Sequence, residues 1–203
     1  MTTAVDIAVR IKRLLESLHE SALAPFLAEW PESRAIRMQA AADLPVLRWL
    51  DAVCRDAAAF GIELLSALCR AAPQLAWRQT YAEKDIGRAF LDNYGWCAII
   101  SGDGPLASER IACGFLLLGP QVHYPSHRHP AEEMYLILSG TAAWQRGAGA
   151  WTDRAPGALI HHAGDEPHAM RTSASPLLAL YLWRGAHIAR AAALDPGPGV
   201  RPR

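Results

Sequence analysis

Between positions 127 and 168 the chain gathers side chains that bind metals and move protons: His127, His129, Glu133, Tyr135, His161, His162 and His168. His127, His129, Glu133 and Tyr135 share one parity. Residues two apart on extended chain point to the same side, so these four can face one space, although Pro130 and Ala131 signal a loop among them. This group can supply two imidazoles and a carboxylate to one centre. Converging in a β barrel, such a set forms a facial triad with open positions for water or substrate on Fe(II), Mn(II) or Zn(II). The imidazoles supply neutral nitrogen donors, and the carboxylate offsets part of the metal's charge. A structural zinc site would instead be closed by four protein ligands, commonly cysteines. The cysteines at 54, 69, 97 and 113 form no C-x-x-C pair. The expectation is one divalent metal ion (zinc, iron or manganese), which residue types alone do not distinguish. His161 and His162 point to opposite faces of an extended chain, so at most one looks inward.

The elements that position these residues change character near Trp77. Before it, Ile7, Ile11, Leu14, Leu15, Leu18 and Ala22 fall on one helical face. Pro25 and Pro31 then interrupt. A second helix is expected to start at Asp43, as cap, with Pro45 in its first turn, and to end before Pro73. After Trp77 the apolar runs shorten to 96–100, 110–118, 134–138, 141–144, 158–162 and 177–183, separated by Gly- and Pro-containing turns. Short strands at this spacing favour a sandwich or barrel over a parallel α/β sheet. The expected organisation is a helical extension over 1–76, a β-barrel metal domain over 77–190, and a disordered tail over 191–203.

With 20 basic and 20 acidic residues the formal charge is zero, and no basic stripe suits nucleic acid. No apolar run is long enough to span a membrane, and no signal peptide is evident. All four cysteines sit in apolar stretches and read as buried free thiols, which suits a reducing compartment and a cytoplasmic protein. A small-molecule substrate and a monomer or homodimer are expected.

The spacing of His127, His129, Glu133 and Gly140, followed by Pro156, Gly157 and His168, resembles the two motifs of the cupins. The phrases at 77–81, 90–96, 110–120, 124–129 and 178–185 resemble, more narrowly, the Q-type cupin dimethylsulfoniopropionate (DMSP) lyases. The resemblance implies a mainly β fold: a cupin (double-stranded β-helix, or jelly-roll) barrel with an N-terminal α-helical extension. It implies cleavage of DMSP by β-elimination to dimethyl sulfide and acrylate. His129, Glu133 and His168 match the family's metal ligands, and His127 a position that joins the metal or orients substrate. Tyr135 matches its catalytic base, Tyr124 a second tyrosine near metal and substrate, and Trp183 and Tyr94 aromatic positions around the pocket. Trp96 is a further candidate there.

The chemistry suits these residue types. A metal on the substrate carboxylate acidifies the neighbouring C–H. A phenol near pKa 10 becomes a useful base beside that charge. Aromatic faces accept the sulfonium. Two other readings compete: a cupin dioxygenase or isomerase on a small carboxylic acid, and a non-catalytic cupin that binds a small ligand. Oxygen consumption would mark the oxygenase. A DNA-binding segment, which this chain lacks, would suit a sensor.

Overall fold

The computed structural model describes residues 3–32, 36–185 and 187–195. Its helices are α1 (Ala4–Ser17), α2 (Ala24–Ala28), α3 (Leu50–Arg55), α4 (Ile62–Ala71), α5 (Glu83–Ile86) and α6 (Arg88–Leu91). Thr3 and Asp6 form a reciprocal cap on α1: the Thr3 hydroxyl accepts the Asp6 N–H at 3.2 Å, and Asp6 accepts the Thr3 N–H at 2.8 Å. The buried face of α1 is Ile7, Ala8, Ile11, Leu14 and Leu15. Ala22 lies beyond the helix end and is exposed, unlike the reading from periodicity. Pro25 sits in the first turn of α2 rather than breaking a helix.

The single second helix expected from 43 onward is several pieces. Pro45–Trp49 is a 3-10 turn running into α3, and α4 starts only after an extended Ala58 and a second 3-10 turn, Ala59–Gly61. Leu44, not Asp43, is at the cap position, and no side chain satisfies it. Cys54 on α3 and Cys69 on α4 are bonded to each other, with Cα atoms 6.7 Å apart. The reading of four free thiols, and the reducing compartment drawn from it, therefore rests on Cys97 and Cys113 alone.

The strands are β1 (Tyr94–Ser101), β2 (Leu106–Ala107), β3 (Ile111–Leu118), β4 (His123–Arg128), β5 (Glu132–Ser139), β6 (Ala142–Arg146), β7 (Thr152–Arg154), β8 (Leu159–His162), β9 (His168–Thr172), β10 (Leu177–Arg184) and β11 (Ala193–Leu194). They form one sheet in the order β2-β1-β3-β10-β5-β8 and another in the order β11-β4-β9-β6-β7. All pairings are antiparallel except β1 with β2. The two facing sheets make the cupin barrel that the resemblance implies. Residues 193 and 194, expected in a disordered tail, pair with β4 at Arg128 and His127. Residues 196–203 lie outside the described residues.

Two apolar layers explain why β3, β5 and β10 read as continuous hydrophobic runs. On β10, Leu178, Leu180 and Leu182 pack with α1 and α4, while Leu177, Ala179 and Tyr181 belong to the barrel interior. On β5, Met134, Leu136 and Leu138 face the helices, and Tyr135 and Ile137 face inward. A sheet covered on both faces needs no polar alternation. The helical layer thus buries the outside of the sheet whose inside carries the site.

Gly140 ends β5 at φ +77°, and a Cβ there would overlap the Pro176 carbonyl oxygen. A Gly140→Ala change should cost at least about 2 kcal/mol, from left-handed strain plus the overlap. Urea unfolding of parent and variant checks this, and equal midpoints would refute it.

Candidate metal centre

The residues that carry chemistry arrive from both sheets. Glu133 and Tyr135 lie on β5, His127 on β4, and His168 opens β9. His129 occupies the β4–β5 loop. The parity shared by His127 and Glu133 is therefore not what joins them, because they belong to opposite walls. What brings His127 to the site is the pairing of β4 with β9, where His127 lies opposite His168. A bulge between Tyr124 and His127 turns both inward despite their three-residue spacing.

The donor atoms of His129, Glu133 and His168 lie within 4.8 Å of one another, and all three residues are buried. Glu133 Oε2 is 3.0 Å from His129 Nε2 and 3.3 Å from His168 Nε2. Ligands about 2.1 Å from a common ion at tetrahedral to octahedral angles stand about 3.0–3.4 Å apart, so this spacing fits one ion. The back of each imidazole is fixed. His129 Nδ1 donates to Ala131 O at 3.0 Å and His168 Nδ1 to Glu166 O at 2.8 Å. That tautomer turns both Nε2 atoms toward the centre. His168 Nε2 is buried without a hydrogen-bond partner, as a ligand atom would be. Glu133 Oε1 is held separately by the Trp183 indole N–H at 2.5 Å.

Electrostatics tie the set together. Burial alone would raise the Glu133 carboxyl pKa, but the charge and hydrogen bond of His129, with the adjacent His168 imidazole, hold it well below the ordinary range. Burial would lower His129, and Glu133 outweighs it and raises His129. His127 is pushed well below the ordinary imidazole value, first by burial and then by His168. It donates from Nδ1 to Pro125 O at 2.9 Å, stacks on Tyr124 at 3.8 Å, and sits 4.2 Å from the His168 ring. It lies outside the set of three.

A cavity of about 470 Å³ opens in front of the triad. Tyr94, Trp96, Tyr124, His127, His129, Glu133, Tyr135 and Trp183 line it; of the residues singled out from sequence, His161, His162 and His168 do not. Tyr124 and Tyr81 share a hydroxyl–hydroxyl hydrogen bond at 2.8 Å. Thr80 accepts the Trp96 indole N–H at 3.0 Å and bonds the Tyr94 hydroxyl at 2.8 Å. Burial raises Tyr94 to about 12. Tyr124 and Tyr135 are held well above 10, first by burial, and Tyr135 also by the adjacent Glu133 charge. Trp183 stacks on His129 at 4.1 Å, so it braces that imidazole as well as lining the pocket.

Tyr181, Tyr81 and Thr80 were not singled out from sequence. Tyr181 was legible, since it stands two residues before Trp183 on the same strand face. Tyr81 and Thr80 were not, because they precede the barrel on irregular chain. Of the histidine pair, His162 is the inward one. It is fully buried, accepts the Trp144 indole N–H at 3.0 Å, and is lowered to about 3 by burial and then by His168. His161 is exposed and bonds Glu132 at 2.8 Å.

The sequence profile of the dimethylsulfoniopropionate lyase family matches residues 21–179. Dimethylsulfoniopropionate lyase DddQ of Ruegeria pomeroyi is 38% identical over 109 residues, 54% of each protein, so the match spans about half the length of that curated relative. The crystal structure of DMSP lyase DddQ from the same organism superposes with a TM-score of 0.78 at 29% identity, covering 90% of this chain and 96% of that one. A chain from the crystal structures of the DMSP lyases RdDddP and RnDddQII gives 0.79 at 30% identity, covering 96% and 100%. Among the described residues no helix is long and apolar enough to cross a membrane. On the profile match, and on likeness along almost the whole chain, this protein belongs to the dimethylsulfoniopropionate lyase family.

Proposed function

We propose that the protein is a metal-dependent lyase that cleaves DMSP by β-elimination to dimethyl sulfide and acrylate. The observation that carries this is the buried His129, Glu133, His168 set opening onto a cavity walled by tyrosines and tryptophans. A divalent ion (zinc, iron or manganese) held by these three donors would supply Lewis acidity for the substrate carboxylate.

The chain's own residues do the rest. Trp183 ties Glu133 Oε1, which leaves Oε2 for the centre. Tyr135, two residues along the same strand face, takes the proton from the carbon beside the carboxylate. The electrons of that C–H bond form the new C=C bond, and the C–S pair leaves with sulfur. Dimethyl sulfide departs neutral, so no acid is needed at that end. Tyr124, held by Tyr81, lines the substrate's flank, and His127 behind it orients the carboxylate end. Tyr94, Trp96 and Trp183 offer aromatic faces to the sulfonium, each contributing about 0.5–2 kcal/mol. The Arg78 guanidinium already lies 5.7 Å over the Trp96 ring, so Trp96 is the weakest of the three candidates. Within 1–76, helices α1 to α4 serve as an extension that covers the barrel, and the active unit is a monomer or homodimer.

Purified protein given DMSP should release dimethyl sulfide into the headspace, also without oxygen. Dialysis against a chelator should abolish release, and a divalent metal should restore it. No gas under any metal loading would remove the lyase reading.

A further inference from the structure

The turn between β8 and β9 touches both imidazole ligands. Its Asp165 N–H donates to His129 O at 2.8 Å, and its Glu166 carbonyl accepts from His168 Nδ1 at 2.8 Å. Asp165 has φ +59°, and a Cβ on Gly164 would overlap the Pro130 carbonyl oxygen, so the turn is pressed tightly onto the β4–β5 loop. The Glu166 side chain anchors it. Both carboxylate oxygens accept from Arg146 at the end of β6, at 3.2 and 3.0 Å, and Oε2 also accepts the Ala163 N–H at 3.1 Å. Behind it, Trp144 donates to His162 Nε2, which places the His162 proton on Nδ1, 3.6 Å from Glu166 Oε2. The His162 ring stacks on His168 at 4.1 Å.

We propose that Arg146 and Glu166 are a positioning pair for the metal centre: the turn they anchor sets the separation of His129 from His168. The inference rests on the metal-dependent reading above. A two-pronged Arg–carboxylate contact fixes direction as well as distance. The Arg146 side chain is half exposed, so the pair adds little to global stability, and its effect should appear in ligand geometry instead.

The test uses Co(II) on the full chain, with affinity read by chelator competition and geometry by visible absorption. Arg146→Met and Glu166→Gln should each weaken Co(II) binding by about 10–100-fold and shift the absorption bands. Arg146→Lys should recover most of the affinity, and metal-free melting should stay near the parent's. Arg88→Ala, which breaks the remote Arg88–Asp92 pair, should change neither reading. Affinity within about twofold of the parent in both variants overturns the proposal, given the effect expected for groups behind metal ligands. An equal loss in Arg88→Ala also overturns it. Should Arg146→Met not fold, Glu166→Gln, which keeps the side chain's shape, decides alone. A parent that takes up no Co(II) removes the metal reading together with this one; a parent that binds while the variants are unaffected removes only this one.

Discussion

Tyr135→Phe should lower turnover of DMSP by about 10²–10⁴-fold, the range for a lost general base, while metal content stays at the parent's level. That fall corresponds to about 3–5 kcal/mol of transition-state stabilisation. The residue is buried on β5, 5.2 Å from Trp144, and phenylalanine keeps the ring that makes this contact. The loss should therefore fall on turnover, with KM little changed. Burial and the Glu133 charge together hold the Tyr135 phenol well above 10. It can serve as a base only where Glu133's charge is offset by a bound cation. Tyr124→Phe should cost less, since the Tyr124 hydroxyl is already engaged by Tyr81. Dimethyl sulfide release measured beside metal analysis separates the outcomes. A Tyr135→Phe protein that keeps full metal and more than about a third of parental turnover would remove Tyr135 as the base.

Glu133→Gln should abolish both metal binding at neutral pH and gas release. Without the carboxylate, the centre loses its one anionic ligand. The metal-free protein should also lose about 1–3 kcal/mol, because a buried charge-assisted hydrogen bond to His129 is gone. The loss is smaller than for a broken buried arginine pair, because His129 can shed its proton. Its pH dependence has a definite sign. Glu133 is depressed from 4.5, so its contribution is present above 4.5 and fades as pH falls through its lower folded value. His129 is raised from 6.5, so its contribution is present below 6.5 and fades as pH rises through its higher folded value. Both are fully present only between pH 4.5 and 6.5, where the stability gap between metal-free parent and variant should be widest. Denaturant titrations across that range read it directly. A gap that grows steadily above pH 8 would contradict the pairing.

The candidate donors of the centre were legible because residue types and spacing are local properties. His129 and Glu133 flank a loop, His168 follows a Pro-Gly turn, and the aliphatic runs of β3, β5 and β10 are strands whatever they pack on. The helical stripe of α1 was equally plain, since its period is written in Ile7, Ile11, Leu14 and Leu15. Strands β4 and β9 were not foreseen. Their inward positions hold Tyr124, His127 and His168 in place of an alternating aliphatic pattern, and Pro125 interrupts the first of them. The breaks between α3 and α4, and the Cys54–Cys69 bond, depend on how the helical layer folds back on itself. No local pattern encodes that.

Sequence by itself determined which imidazole and carboxylate donors this protein owns and that a β barrel would hold them. Tertiary structure decided which wall each comes from. The pairing of β4 with β9 puts His127 against His168, and the β8–β9 turn ties His168 to His129. Those relations are set by strand register and by contacts between residues 35 or more positions apart. Periodicity within a strand carries no information about them.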